Sequence, residues 1–266
     1  MASCGRMDRL ASKVSVITGA AAGIGAALAR QLAEAGAHLV LVDRDPAVAQ
    51  LAASLPSAEA HIFDVGDPGA QRALADAVAA RHGGADLVVA NAGINVHGLF
   101  LEQSFEDLER IVRVNLLGVL YLVRALGPGM RRGGQVVVVS SLAGRVPFPY
   151  QTTYCATKYA VRGFAAALRP ELAARGIGVT AVLPGTVATR LLETASSYDR
   201  SASAKIADLM LRFGAAPERV AARIVEAIRT DAPEVLVGWD ARLATQLFDR
   251  GLLGPLLGAA TRVRRG

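Results

Sequence analysis

Val14-Ser15-Val16-Ile17-Thr18-Gly19-Ala20-Ala21-Ala22-Gly23-Ile24-Gly25-Ala26-Ala27-Leu28-Ala29 is the stretch that decides how this chain is read. A short β-branched run passes straight into a loop with glycine at 19, 23 and 25, and the loop into an Ala- and Leu-rich helical segment. Glycine lets the backbone turn tightly and approach a bulky anion, and a pyrophosphate placed there would face the positive end of the helix dipole. Tight turns use glycine for steric reasons as well, so the strand before and the helix after give the loop its meaning.

The alternation continues downstream. Runs at Leu39–Val42, His61–Phe63, Leu87–Val89, Val136–Val139, Gly178–Val182 and Glu234–Val237 predict further strands, separated by Ala-rich helical stretches. Each run is almost wholly apolar, as expected of strands covered on both faces. Right-handed crossovers then give a doubly wound α/β architecture: a seven-stranded parallel sheet flanked by helices, with its ligand crevice at the carboxyl ends of the strands. A chain of 266 residues can bury this as one domain. The expected division is a flexible tail over 1–12, a single domain over 13–238 containing a lid over 190–214, and a C-terminal extension over 239–266.

The net charge of +6 comes from basic residues dispersed along the chain, without the aromatic-interleaved cluster of a nucleic-acid surface. Two cysteines are too few for a disulfide framework and fit a reducing cytoplasm. The first dozen residues carry no apolar signal core, and runs such as Val119–Val123 fall far short of the ~20 residues that span a bilayer. A soluble, cytoplasmic protein is expected.

Tyr154 and Lys158 are four residues apart, one face of a helix, so the lysine ammonium is expected beside the phenol, favouring its ionised form. A reference phenol ionises near a pKa of about 10, so proton exchange with an alcohol or ketone near pH 7 requires that value to fall. Ser140-Ser141 lies upstream, Ser141 thirteen residues before the tyrosine. Asp43 ends the second predicted strand, where a carboxylate can accept from both hydroxyls of an adenosine ribose; an N-cap or turn role is the plainer alternative. Asp64, read as ending strand 3, is either an adenine-edge contact or a helix cap.

With these motifs in this order, the chain resembles the short-chain dehydrogenase/reductase family in its compact single-domain branch, over roughly Lys13 to Val237. Thr18, Gly19, Gly23 and Gly25 match the family's glycine motif, Asn91-Ala92-Gly93 its Asn-Ala-Gly after strand 4, and Asn115 its mid-helix asparagine. Ser141, Tyr154 and Lys158 match the catalytic set, and Pro184-Gly185 with Thr189 the segment that closes over a nicotinamide. Thr157 stands where serine is usual, and Ala90 where a second asparagine is common.

The resemblance implies a Rossmann-type fold and hydride transfer between a nicotinamide and a secondary alcohol or ketone. Tyr154 would be general acid or base, Lys158 would depress its pKa and bond the nicotinamide ribose, and Ser141 would hold the substrate oxygen. Asn115 would hold a water linking Lys158 to solvent, or be no more than a polar kink. Ile24, Arg44, Val65, Ala92 and Val187 complete the cofactor set, and no metal is called for. NAD is expected over NADP, because Asp43 puts a carboxylate where a 2′-phosphate must go, Ala22 supplies no cation, and Asp45 can engage Arg44.

By position after the motifs, Val96, His97, Leu142, Val146, Phe148, Tyr150 and Val187 fall on the substrate side. Their apolar character suits a bulky hydrophobic alcohol or ketone. His97 would bind a polar substrate end or, as the commoner fate of a loop histidine, face solvent. Ala204–Leu211 has the amphipathic spacing of a lid helix. Apolar helices around Leu116–Leu126 and Tyr159–Leu172 predict a homodimer or homotetramer. The leucine pairs and arginines after Leu252 would pack on the domain or a neighbouring subunit, with a membrane surface as the less favoured partner. A non-catalytic dinucleotide-binding sensor is the rival reading, against which the intact Ser141, Tyr154 and Lys158 set argues.

Overall fold

The computed structural model describes residues 10–188, 196–197, 212 and 214–252. Thr189, most of the expected lid with its Ala204–Leu211 stretch, and everything beyond Leu252 lie outside the described residues. Seven parallel strands form the central sheet in the order β3-β2-β1-β4-β6-β7-β9. They are β1 (Val14–Thr18), β2 (His38–Asp43), β3 (Ala58–Ile62), β4 (Leu87–Ala90), β6 (Gln135–Val139), β7 (Gly178–Pro184) and β9 (Glu234–Val237). The two-residue strands β5 (Val96–His97) and β8 (Ser196–Ser197) pair with each other outside the sheet. The helices are α1 (Gly23–Glu34), α2 (Ala47–Ala53), α3 (Pro68–His82), α4 (Phe105–Val112), α5 (Gly118–Leu126), α6 (Thr152–Ala173), α7 (Pro217–Thr230) and α8 (Trp239–Asp249).

Strand alternation sorts the core into two layers. Ile17, Leu39, Leu41, Leu87, Val89 and Val137 point to one face, where Leu28 and Leu32 of α1 and Ile224 and Ile228 of α7 meet them. Val16, Val40, Val42, Val88, Val136 and Val138 point to the other, under Leu74 of α3, Leu122 of α5 and Val161 of α6. Burial on both faces explains the unbroken apolar runs. β3 departs from that pattern: it lies three residues upstream of the expected start and ends at Ile62, so Asp64 stands two residues past it. As the edge strand it is only half-buried and reads Ala-Glu-Ala-His-Ile, which hides it from a search for apolar runs.

After β3 the chain crosses to the far side of β1 and enters β4, so the strand order reverses between β1 and β4. The crevice outside their carboxyl ends is where an open α/β sheet binds ligands. Leu10, the first described residue, is buried, and the Ser12 N–H reaches Gly36 O at 2.8 Å, both within the expected tail. Phe105–Gly129 forms one helical run of 25 residues whose most apolar 18-residue window has a mean hydropathy of 1.4, by length and composition enough to cross a membrane. This exceeds the short apolar runs read from sequence. Half of its most apolar window is buried inside the fold, where Val119, Leu122 and Val123 pack against the sheet.

Candidate active site

Thr18 and Asn91 join the ends of β1 and β4. The Thr18 hydroxyl donates to Val89 O (3.3 Å) and accepts from the N–H groups of Asn91 (3.1 Å) and Ala92 (3.2 Å). Asn91 Nδ2 donates back to Thr18 O (2.9 Å) and Gly19 O (3.1 Å). The loop they hold needs its glycines for different reasons: Gly19 has φ +66° and Gly23 φ +55°, while a Cβ on Gly25 would collide with the Gly19 carbonyl oxygen. Beyond the loop α1 begins without a side-chain cap on its N-terminus, so its first N–H groups are open to an anionic group. An uncapped helix end behind a glycine cradle fits the pyrophosphate of a dinucleotide.

Asp43 accepts from Ala21 N (2.9 Å) with one oxygen and from Asp45 N (3.0 Å) with the other, so it is a turn aspartate whose carboxylate braces the glycine loop. Asp45 does not engage Arg44. Its carboxylate takes the Ala47 N–H at the start of α2 (2.9 Å), because an Asx-type turn satisfies a helix-end donor more locally than an exposed ion pair would. Asp64 accepts from Gly66 N (2.8 Å), while the helix cap is Asp67, which receives the N–H groups of Gly69 and Ala70. Val65 is buried against Gly118, where any Cβ would press into it.

The second cluster stands at the end of β6 and on the first turns of α6. Ser141 caps a short turn over Leu142–Gly144, accepting from Ala143 N at 3.1 Å. Its neighbour Ser140 is buried and donates to Lys158 O (2.8 Å), so the first serine fixes α6 to the turn and the second faces Tyr154. Lys158 Nζ lies 5.7 Å from the centre of the Tyr154 ring and donates to Val139 O at 3.0 Å. Asn115 sits in a π-helical turn, Arg113–Leu117, between α4 and α5. Its Oδ1 accepts from Ile94 N (2.8 Å), and its Nδ2 donates to Ile94 O (2.9 Å) and Thr157 Oγ1 (3.2 Å). Thr157 Oγ1 in turn donates to Tyr154 O (2.8 Å), so the threonine ties the asparagine to α6. A Cβ on Gly93 would stand 3.4 Å from both Asn115 Oδ1 and Lys158 Nζ, so a glycine there leaves the lysine approachable from the cofactor side.

Burial governs the charges here. Tyr154, 7% exposed, has its pKa pushed up to about 12 by desolvation, with the Ser141 hydroxyl working against the rise. Lys158, 4% exposed, is pushed down to about 8 by the same cause. The expectation that the lysine brings the phenol pKa down therefore does not hold in the protein by itself: with both groups out of water, loss of hydration outweighs their interaction.

Comparison with known proteins agrees with this geometry. The family model for short chain dehydrogenases matches residues 13–199. This chain is a short-chain dehydrogenase/reductase. It is 37% identical over 247 residues to the putative oxidoreductase SadH of Mycobacterium tuberculosis, covering 89% of this chain and 90% of that protein. It is also 35% identical over 235 residues to the probable oxidoreductase EphD of M. tuberculosis, matching 82% of this chain but spanning 39% of that protein's length. A solved short-chain dehydrogenase/reductase from Burkholderia phymatum in complex with NAD superposes with a TM-score of 0.83 at 28% identity, covering 91% of this chain and 94% of that one. One from Burkholderia cenocepacia in complex with NADP gives 0.77 at 28%, covering 88% and 100%.

On the substrate side this short-chain dehydrogenase/reductase departs from the expected lining. Leu142 and Val146 are buried with Ala241 of α8 and with Phe148 and Phe248 against them, and the turn after Ser141 is closed by the Val146 N–H on Leu142 O (2.9 Å). Val187 is buried in the sheet core, and Val96 packs with Ile111, Ala143 and Tyr154. Phe148 and Tyr150 are half-buried, Phe148 against the cluster that contains Tyr154. His97 is 4% exposed, its ring 6.0 Å from that of Tyr150, so the solvated-loop reading is wrong: β5 pulls it inward. Tyr150 has φ +65°, a strained conformation for an aromatic residue, and its carbonyl accepts from Gly98 N (2.9 Å).

Pro184 and Gly185 close β7, and the reason for the glycine was not visible in sequence: a Cβ there would strike the carboxylate of Asp240 on α8. Gly144 was also missed. Its Cβ would collide with Ser140 Oγ and the Lys158 backbone, so it lets the serine turn and α6 meet closely. The glycines at 144 and 185 were the available signals, but their partners are distant in sequence.

Proposed function

We propose that this short-chain dehydrogenase/reductase is an NAD(H)-dependent enzyme that interconverts a hydrophobic secondary alcohol and its ketone, with Tyr154 as general acid or base. The observation that carries this reading is the convergence of Ser141, Tyr154 and Lys158, with Gly93 against the lysine, at the same carboxyl-end side of the sheet as the glycine loop. When bound, the nicotinamide gives or takes the hydride. In ketone reduction Tyr154 donates its proton to the oxygen; in alcohol oxidation the phenolate takes that proton from the hydroxyl. Ser141 donates to the same oxygen as charge develops on it. Lys158 supplies positive charge behind the phenol and a donor toward the nicotinamide ribose, and the Asn115–Thr157 link holds α6 in register with the segment after β4. A phenol pushed up to about 12 is protonated at pH 7, the form that ketone reduction uses.

Asp43, at the tip of β2, supports NAD over NADP. Phe148 and Tyr150 support an apolar substrate. Half-buried Leu117, Leu120 and Tyr121, together with exposed Tyr159, support a homodimer or tetramer built on α5 and α6. The cysteine usage supports a cytoplasmic location. The test is NADH-dependent reduction across a panel of steroid, terpenoid, aliphatic and sugar ketones, on a preparation sized by light scattering. Turnover with the apolar members by an oligomer is expected. Turnover with none of the panel, from a protein that still binds NADH, would favour a dinucleotide sensor instead.

A further inference from the structure

Helix α8 is fastened at both ends to segments that follow sheet strands. Near its C-terminus Asp249 accepts from Arg145 Nη2 (3.0 Å), while Arg145 Nη1 donates to Glu234 (3.0 Å), tying the helix to the turn that carries Ser141. Between the ends, Ala241 and Phe248 pack on Leu142 and Val146 of the same turn. At its N-terminus Asp240 Oδ2 accepts from Thr186 N at 2.6 Å, directly after β7. The carboxylate occupies a space that two glycines leave open. A Cβ on Gly185 would meet both Asp240 oxygens, and one on Gly238, itself at φ +108°, would meet Oδ1. Thr186 is held on its other side too, its carbonyl accepting from Ala215 N (2.9 Å).

We infer that Asp240 is a positioning residue for the nicotinamide end of the cofactor: by holding the Thr186 N–H it sets the backbone that follows Pro184-Gly185, the start of the segment that the family resemblance places over that ring. The inference rests on the functional reading proposed above. It assigns Gly185 a purpose other than contact with the cofactor, namely room for a carboxylate from the C-terminal extension. It also makes α8 the element through which the serine turn and the post-β7 segment are kept in register.

The experiment is NADH titration and steady-state kinetics on Asp240→Ala, Asp240→Asn, Gly185→Ala and the Gly185→Ala/Asp240→Ala double variant. Loss of one charge-assisted hydrogen bond should weaken NADH binding about tenfold in Asp240→Ala, with kcat at saturating cofactor changed far less. Asp240→Asn, whose amide oxygen can still accept from Thr186, should stay within about threefold of wild type. Gly185→Ala should resemble Asp240→Ala, and the double variant should be no worse than either single, because the three nearest atoms the methyl group would meet all belong to that carboxylate. A folded Asp240→Ala that binds NADH as wild type does, or additive losses in the double variant, overturns the inference. Should Asp240→Ala not fold, unchanged NADH binding by Gly185→Ala overturns it equally. A wild-type protein that binds neither NADH nor NADPH overturns the functional reading and this inference together; wild-type binding with an indifferent Asp240 overturns the inference alone.

Discussion

At the ends of β1, β2 and β4 the polar side chains of the motif are committed to the backbone: Thr18, Asp43 and Asn91 each hold main-chain groups of the glycine loop or its neighbours. At the end of β6 and on α6 the pattern reverses. Tyr154 and Lys158 are buried with little to compensate them, the ammonium making one hydrogen bond among the described residues, and both are pushed toward their neutral forms. The first region stores shape and the second stores electrostatic cost. A loop that binds a pyrophosphate works by being rigid before the ligand arrives, whereas an acid–base pair works by having its protonation poised, which burial arranges.

The largest expected effect separates the two regions. Tyr154→Phe should lower kcat/KM by about 10² to 10⁴ and leave NADH binding within about twofold, since only the proton donor is lost. The buried phenol also fixes the sign of the pH dependence. Alcohol oxidation needs the phenolate, and a pKa near about 12 means the fraction in that form climbs with pH throughout the working range. Oxidation rate should therefore rise from pH 7 to 10. An oxidation optimum at or below pH 7, or a Tyr154→Phe variant with most of its activity intact, would show that Tyr154 is not the base.

The same contrast explains which parts of the molecule were legible in the sequence. Most strand positions and the glycine loop were, because a strand buried on both faces writes an apolar run and a positive φ or close approach writes a glycine. β3 is the exception because its half-buried run Ala-Glu-Ala-His-Ile writes neither, whereas the other edge strand, β9, keeps an apolar Val-Leu-Val. The candidate catalytic residues could be named from spacing and family resemblance, yet their electrostatics could not: i,i+4 geometry puts Lys158 beside Tyr154 but carries no information about desolvation, which reversed the expected shift in the phenol. Leu142 and Val146 were assigned to the cleft because nothing local shows that α8, a hundred residues on, covers them. Asp240 was invisible for the same reason.

Cofactor choice tests the rigid region, with a smaller expected effect. NAD should be preferred over NADP by about 5- to 150-fold in kcat/KM, or about 1–3 kcal/mol, from the Asp43 carboxylate facing a 2′-phosphate. The competing cation is closer to hand than the sequence suggested, because Asp45 caps α2 and leaves Arg44 exposed. Asp43→Ser should accordingly improve NADP use. It should also cost some NAD affinity, since the brace on Ala21 N is shortened. Equal use of the two cofactors by wild type would mean that Arg44 prevails over Asp43.

The smallest effect is on stability, and it probes the other region. Burial lowers the Lys158 pKa to about 8 from a reference of 10.5, so the folded protein binds fewer protons than the unfolded chain between those values. Holding the charged ammonium thus costs stability in full below pH 8, and the cost fades as pH rises toward 10.5. Lys158→Met keeps the length and apolar stem while removing the charge, at the loss of the bond to Val139 O. At pH 7 it should stabilise the fold by about 1–2 kcal/mol while abolishing most turnover. Repeating the denaturation at pH 10 should find the gain largely gone. A methionine variant less stable than wild type at pH 7 would mean that the Val139 hydrogen bond outweighs desolvation, and that Lys158 is held at no cost to the fold.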